Sequence, residues 1–165
     1  MSAAAAVRPM HTRGFTIIEL VITLAIVALM ATAAMPLAQL VAKREREVEL
    51  RAALRDIRTA LDAYKVASDT GHIHKELGAS GYPPDLKSLY AGVEDAASPN
   101  KTMLYFMRRV PRDPFFPDGK VPAEETWGLR SYASPPDDPQ PGDDVYDVYS
   151  LDHGVGLNEV HYHDW

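Results

Sequence analysis

Apolar residues dominate the start of the chain and polar ones take over abruptly. From Leu20 to Ala38 there are 19 consecutive residues without a charged side chain, and one carboxylate, Glu19, stands directly before them. Phe15 to Leu37 predicts a helix of 23 residues. At 1.5 Å per residue this is about 34 Å, enough for a bilayer core of about 30 Å. A lone segment in lipid must satisfy its own backbone hydrogen bonds, which leaves the helix as its open choice. Pro36 lacks a donor and crowds the carbonyl four residues back, so a kink or local melting is expected over Thr32 to Pro36.

Beyond Val41 the pattern becomes amphipathic. Leu50, Leu54, Ile57, Leu61 and Tyr64 recur at spacings of four, three, four and three, one seam of a helix. Charges take the other faces, among them Arg46, Glu47, Arg51, Arg55, Asp56, Arg58, Asp62 and Lys65. Glu47 and Arg51 stand four apart in the favourable order for an ion pair. The seam predicts packing on the protein's own domain, since a coiled coil with a partner needs more repeats. Gly71 is the expected stop.

The remainder reads as loops and short strands. Residues 69–81 predict a loop, and Tyr82 to Tyr90 a turn feeding a short helix with Asp85 near its start. Lys101 to Phe106 fits a short strand or a helical turn, and the prolines between Arg108 and Pro117 exclude a regular element. Trp127 to Ala133 and Val145 to Leu151 alternate as strands, joined by the Pro- and Asp-rich stretch Ser134 to Asp144.

Composition changes this picture in few ways. The 165 residues suit one small domain plus an accessory segment, and a net charge of -6 argues against a nucleic-acid partner. With no cysteine there is no disulfide framework and no thiolate metal site. Met1 to Gly14 carries Arg8 and Arg13 and no acid, a basic leader that the positive-inside tendency keeps in the cytoplasm. Ala31-Thr32-Ala33 is a weak alternative cleavage site for an ordinary secretory signal.

Glu19 carries the first candidate chemistry. A carboxylate near the membrane interior costs about 2.5–3.5 kcal/mol on insertion scales. Either it reaches the headgroups, or it waits for a cation supplied by another molecule. Elsewhere no nucleophile elbow, phosphate loop or His-Glu-x-x-His appears. Asp137-Asp138 and Asp143-Asp144 sit in a Pro-rich loop without an apolar wall and read as solvated, as do His72 and His74.

The run Gly14-Phe15-Thr16-Ile17-Ile18-Glu19 resembles the processing signature of type IV pilins and pseudopilins. The resemblance implies that a prepilin peptidase cuts between Gly14 and Phe15 and N-methylates Phe15. It makes Glu19 the glutamate of the fifth mature position, paired with the Phe15 amino group of a neighbouring subunit during assembly. Opposite charges that are costly alone in an apolar bundle become tolerable together and can set register. Pro36 matches a helix-breaking proline that many members carry. The implied fold class is α+β: a long N-terminal helix, membrane-spanning in its first half, packed on a small C-terminal antiparallel sheet domain. The expected division is a removed leader (1–14), a transmembrane and filament-core helix (15–38), its amphipathic continuation (39–68) and a periplasmic globular domain (69–165).

Tyr82-Pro83-Pro84-Asp85-Leu86, Val110-Pro111-Arg112-Asp113-Pro114 and Tyr146-Asp147-Val148-Tyr149-Ser150-Leu151 narrow the resemblance to the major pseudopilin (G subunit) of type II secretion systems. That implies a structural, non-enzymatic subunit: a homopolymer in a helical filament that drives protein export. Its implied partners are minor pseudopilins, an inner-membrane assembly platform and prepilin peptidase. Before assembly the subunit is held in the inner membrane by a single pass, with the globular domain in the periplasm. A type IV pilus pilin or minor pilin is the alternative. A single-pass membrane-anchored metal-binding enzyme is the reading from another class, with the C-terminal histidines its only foothold.

The major pseudopilin usually holds calcium in the loop after its last strand, and calcium takes six to eight oxygen ligands. Here Gly154 stands where the first Asp ligand falls, His161 at the second and His163 at the hydroxyl position. Only the Leu151 carbonyl carries over, with Asp152, Asn158, Glu159 and Asp164 as substitute oxygen donors for Ca2+. His153, His161 and His163 form a rival, zinc-like set, because residues i and i+2 point the same way on a strand. The third reading is a metal-free loop packed through Tyr162 and Trp165.

Overall fold

The computed structural model describes residues 14–165. Residues 1–13, which include Arg8 and Arg13 and make up most of the expected leader (1–14), lie outside it. The chain divides into two compact units after Ala42. Helix α1 covers Ile17–Asp69.

In the first unit, the described side chains from Ile17 to Ala42 are all exposed. The helix contains an 18-residue window apolar enough to cross a membrane, and none of that window is buried. Helical structure continues through Pro36, so the expected melting over Thr32–Pro36 does not occur. One missing ladder bond is a local loss, and helix-forming alanines stand on either side of it.

In the second unit, the seam of α1 forms the core. Leu50, Ile57 and Leu61 are fully buried and Leu54 and Tyr64 nearly so. Burial of each such side chain contributes about 1.5–3 kcal/mol. Ala53 and Ala60 lie on the same face and let Leu86, Leu89, Val110, Trp127, Val145, Val148 and Tyr162 approach. The helix stops where expected. Gly71 adopts φ +81°. His72 N–H donates to the Ala67 carbonyl (2.9 Å) and Gly71 N–H to that of Ser68 (3.2 Å), the paired bonds of a Schellman stop.

Helix α2 is a single turn, Ser88–Ala91, whose first amide donates to Asp85 Oδ1 (2.8 Å). The sheet component is two separate two-stranded antiparallel sheets rather than one. Strand β1 (Val93–Glu94), too short to show in the sequence pattern, pairs with β2 (Met103–Leu104). Strands β3 (Trp127–Arg130) and β4 (Asp147–Ser150) pair with Trp127 opposite Ser150. Short 3-10 turns cover Ala123–Thr126 and Tyr162–Asp164. The molecule is thus α+β, a long N-terminal apolar helix followed by small antiparallel sheets.

Candidate processing and assembly site

Gly14, Phe15 and Thr16 precede the first helical residue, Ile17. Thr16 is the N-cap: its Oγ1 accepts the Glu19 amide (3.3 Å), and its carbonyl accepts the Leu20 amide (3.1 Å). Thr16 and Glu19 therefore have the spacing of a capping box, with the carboxylate in the first turn. A negative charge near the positive end of the helix dipole gains about 0.3–1 kcal/mol, a partial offset to its cost in an apolar setting.

Phe15 is 80 % exposed, and the bond between Gly14 and Phe15 lies in exposed, non-helical chain. A Cβ on Gly14 would meet nothing within 4 Å among the described residues. Pro36 lies within α1, nineteen residues past its start.

In the second unit, the C-terminal loop is built differently from either metal set. Asp152 Oδ1 accepts the Gly154 amide (2.7 Å) and Asn158 Oδ1 the Val160 amide (3.3 Å). Asp164 Oδ1 pairs with His163 Nδ1 (3.1 Å), and Glu159 is exposed at φ +64°. Leu151 is 43 % exposed, and its amide turns to Asp113. The histidines do not share a strand face. His153 is exposed, His161 forms an isolated bridge with Val155, and His163 falls in the 3-10 turn, its ring 4.7 Å from that of Tyr149. The period-2 expectation fails because the backbone there is a tight turn, not a strand. Among the described residues, no three or more His, Asp or Glu side chains group to hold a metal ion. The residues as placed fit neither calcium nor zinc.

The loop is held instead by α1. Glu47, expected on the charged face and paired with Arg51, is only 3 % exposed. Its Oε1 accepts the Leu157 amide (2.8 Å) and the Tyr162 hydroxyl (3.0 Å). Arg51 instead lies 4.2 Å from the Trp165 ring centroid. Arg58 Nε donates to Asp147 Oδ1 (2.7 Å) and Nη1 to the Trp165 carbonyl (2.9 Å). The seam carried a signal for Glu47: one step back from Leu50, by three residues, lands on it.

Two groups expected to be solvated have specific partners. His72 is exposed but pairs through Nδ1 with Asp95 Oδ1 (2.9 Å), which holds the Asp95 carboxyl below the usual range. Asp144 is half-buried and accepts the Tyr132 amide (2.7 Å), because the Pro-rich connection folds back on β3.

No curated protein and no solved structure matches the chain. One family model does, that of the prokaryotic N-terminal methylation motif, over residues 9–35. Those residues contain Gly14, Phe15, the Thr16 cap, Glu19 and most of the apolar part of α1. At its N-terminus, then, the chain carries the prokaryotic N-terminal methylation motif, the signature of type IV pilins and pseudopilins.

Proposed function

We propose that the chain is a structural subunit of a type II secretion pseudopilus, cut by prepilin peptidase between Gly14 and Phe15 and methylated on the new Phe15 amine. The observation that carries this reading is the methylation motif across residues 9–35, which contains Gly14, Phe15 and Glu19. Proteins bearing this motif serve as structural subunits rather than catalysts.

In this reading α1 holds the subunit in the inner membrane through residues 15–38, with the second unit in the periplasm. On assembly the apolar segment exchanges lipid for copies of itself, and Glu19 receives the Phe15 amine of a neighbour. A buried pair of this kind penalises misregister, because a displaced subunit leaves both charges unpaired. Minor pseudopilins and an inner-membrane platform are its expected partners.

Mass analysis of the mature N-terminus tests processing. The expected product begins at Phe15 and carries one methyl group. A chain retaining residues 1–14 in a host with active peptidase would refute it. Glu19→Ala is expected to leave membrane insertion and cleavage intact and to abolish filaments seen by electron microscopy. Loss of protein export on deletion, without loss of surface fibres, identifies the secretion role. The opposite pattern identifies a type IV pilus subunit.

A further inference from the structure

We propose that α1, through Glu47, supplies the ligand that closes the loop of residues 151–165, and that this loop folds without a metal ion. A cation site needs oxygens converging on one point. The groups that converge here are donors. The Leu157 amide and the Tyr162 hydroxyl both point at one oxygen of a carboxylate that is 97 % withdrawn from solvent, the complement of its 3 % exposure. Trp165 Nε1, also buried in this loop, has no partner among the described residues and does not take part in the contact with Glu47. Donors turned inward suit an anion, and Glu47 is that anion.

Some of the oxygens a metal would need are engaged elsewhere. Asp152 and Asn158 close turns on the loop's own amides. Two carbonyls are taken by cations: Val155 by Lys43 Nζ (2.6 Å) and Trp165 by Arg58 Nη1 (2.9 Å). With the Arg51 guanidinium over the Trp165 ring, three cationic side chains border the loop, of which Arg58 is also paired with Asp147. Lys43, Glu47, Arg51 and Arg58 follow one another at helical spacing, so a single stripe of α1 makes the whole clasp. On this proposal the calcium that the pseudopilin resemblance implies is not needed to close the loop.

The test is thermal unfolding of the full chain in detergent, followed by tryptophan fluorescence in calcium, in zinc and in a chelator. It is independent of the filament reading, because it needs neither processing nor assembly. We expect one midpoint in all three conditions. A midpoint raised by calcium or zinc would overturn the proposal, since a ligand that binds only the folded state must stabilise it. Glu47→Ala strands the two donors and should lower the midpoint by roughly 5–10 °C, with no rescue by either metal. A wild-type midpoint, or recovery on adding calcium, counts against Glu47. If that variant does not fold, hydrogen exchange at the Leu157 amide of the unaltered chain decides: protection in chelator supports the clasp, and free-loop exchange rules it out.

Discussion

Asp113 joins three segments that are distant in the chain. It is 1 % exposed, and its carboxylate accepts the Ser150 hydroxyl (2.6 Å), the Phe115 amide (2.8 Å) and the Leu151 amide. Its own amide donates to Thr126 Oγ1 (3.1 Å). Burial pushes its carboxyl above the ordinary range, with the nearby Asp152 charge adding to it, although the hydrogen bonds oppose the shift. Folded Asp113 therefore binds a proton more readily than unfolded Asp113. The stability that its charge costs at neutral pH is recovered as pH falls through the folded value. Asp113→Asn removes this component. The expected outcome is that the stability of the native chain relative to the variant rises between neutral and mildly acidic pH in urea titrations. Nothing in the local pattern marks Asp113 as buried, since it lies between prolines in a stretch that reads as irregular. Asp95 has the opposite sign: its hydrogen bond to His72 lowers its carboxyl, and that contribution disappears as pH falls through the lowered value.

Two glycines carry the elements' most specific demands, for different reasons. At Gly71 a Cβ would meet nothing, so the left-handed φ of +81° alone excludes other residues. Gly71→Ala should cost about 1–2 kcal/mol in chemical denaturation, the usual strain of a left-handed residue. Gly128 in β3 lies opposite Tyr149 in β4, and a Cβ there would enter the Tyr149 ring. Gly128→Ala must displace that ring, together with its contact to His163, and should cost about 1–3 kcal/mol as overpacking does. Gly119→Ala is the control: its Cβ is unobstructed and its φ is not left-handed, so unfolding should be nearly unchanged. The helix stop at Gly71 and strands β3 and β4 were legible because their signals lie within a few neighbouring residues. Strand β1 was not, because two residues show no alternation and its pairing depends on a separate strand, with Val93 opposite Leu104 and Glu94 opposite Met103. The same locality misled the reading of His161 and His163, whose period-2 geometry a 3-10 turn cancels.

At the scale of the molecule, the second unit is organised around the buried seam of α1. Ile57, fully buried at its middle, is the residue whose truncation should cost most: about 2–5 kcal/mol for Ile57→Ala by denaturant titration, with the domain retaining its fold at low temperature. What the sequence by itself determined was everything written in adjacent residues. It set the apolar segment of α1, the seam from Leu50 to Tyr64, the helix stop and the Gly14-to-Glu19 motif, since periodicity and sequence motifs are both written in short continuous stretches. What only the tertiary structure decided was the fate of the polar residues. Glu47 and Tyr162 are 115 positions apart, and a charged residue on a helix is buried or solvated according to what the rest of the chain brings to it. The apolar seam residues of the second unit are driven inward by water. A carboxylate is buried only where donors converge on it, and convergence is a property of the folded chain.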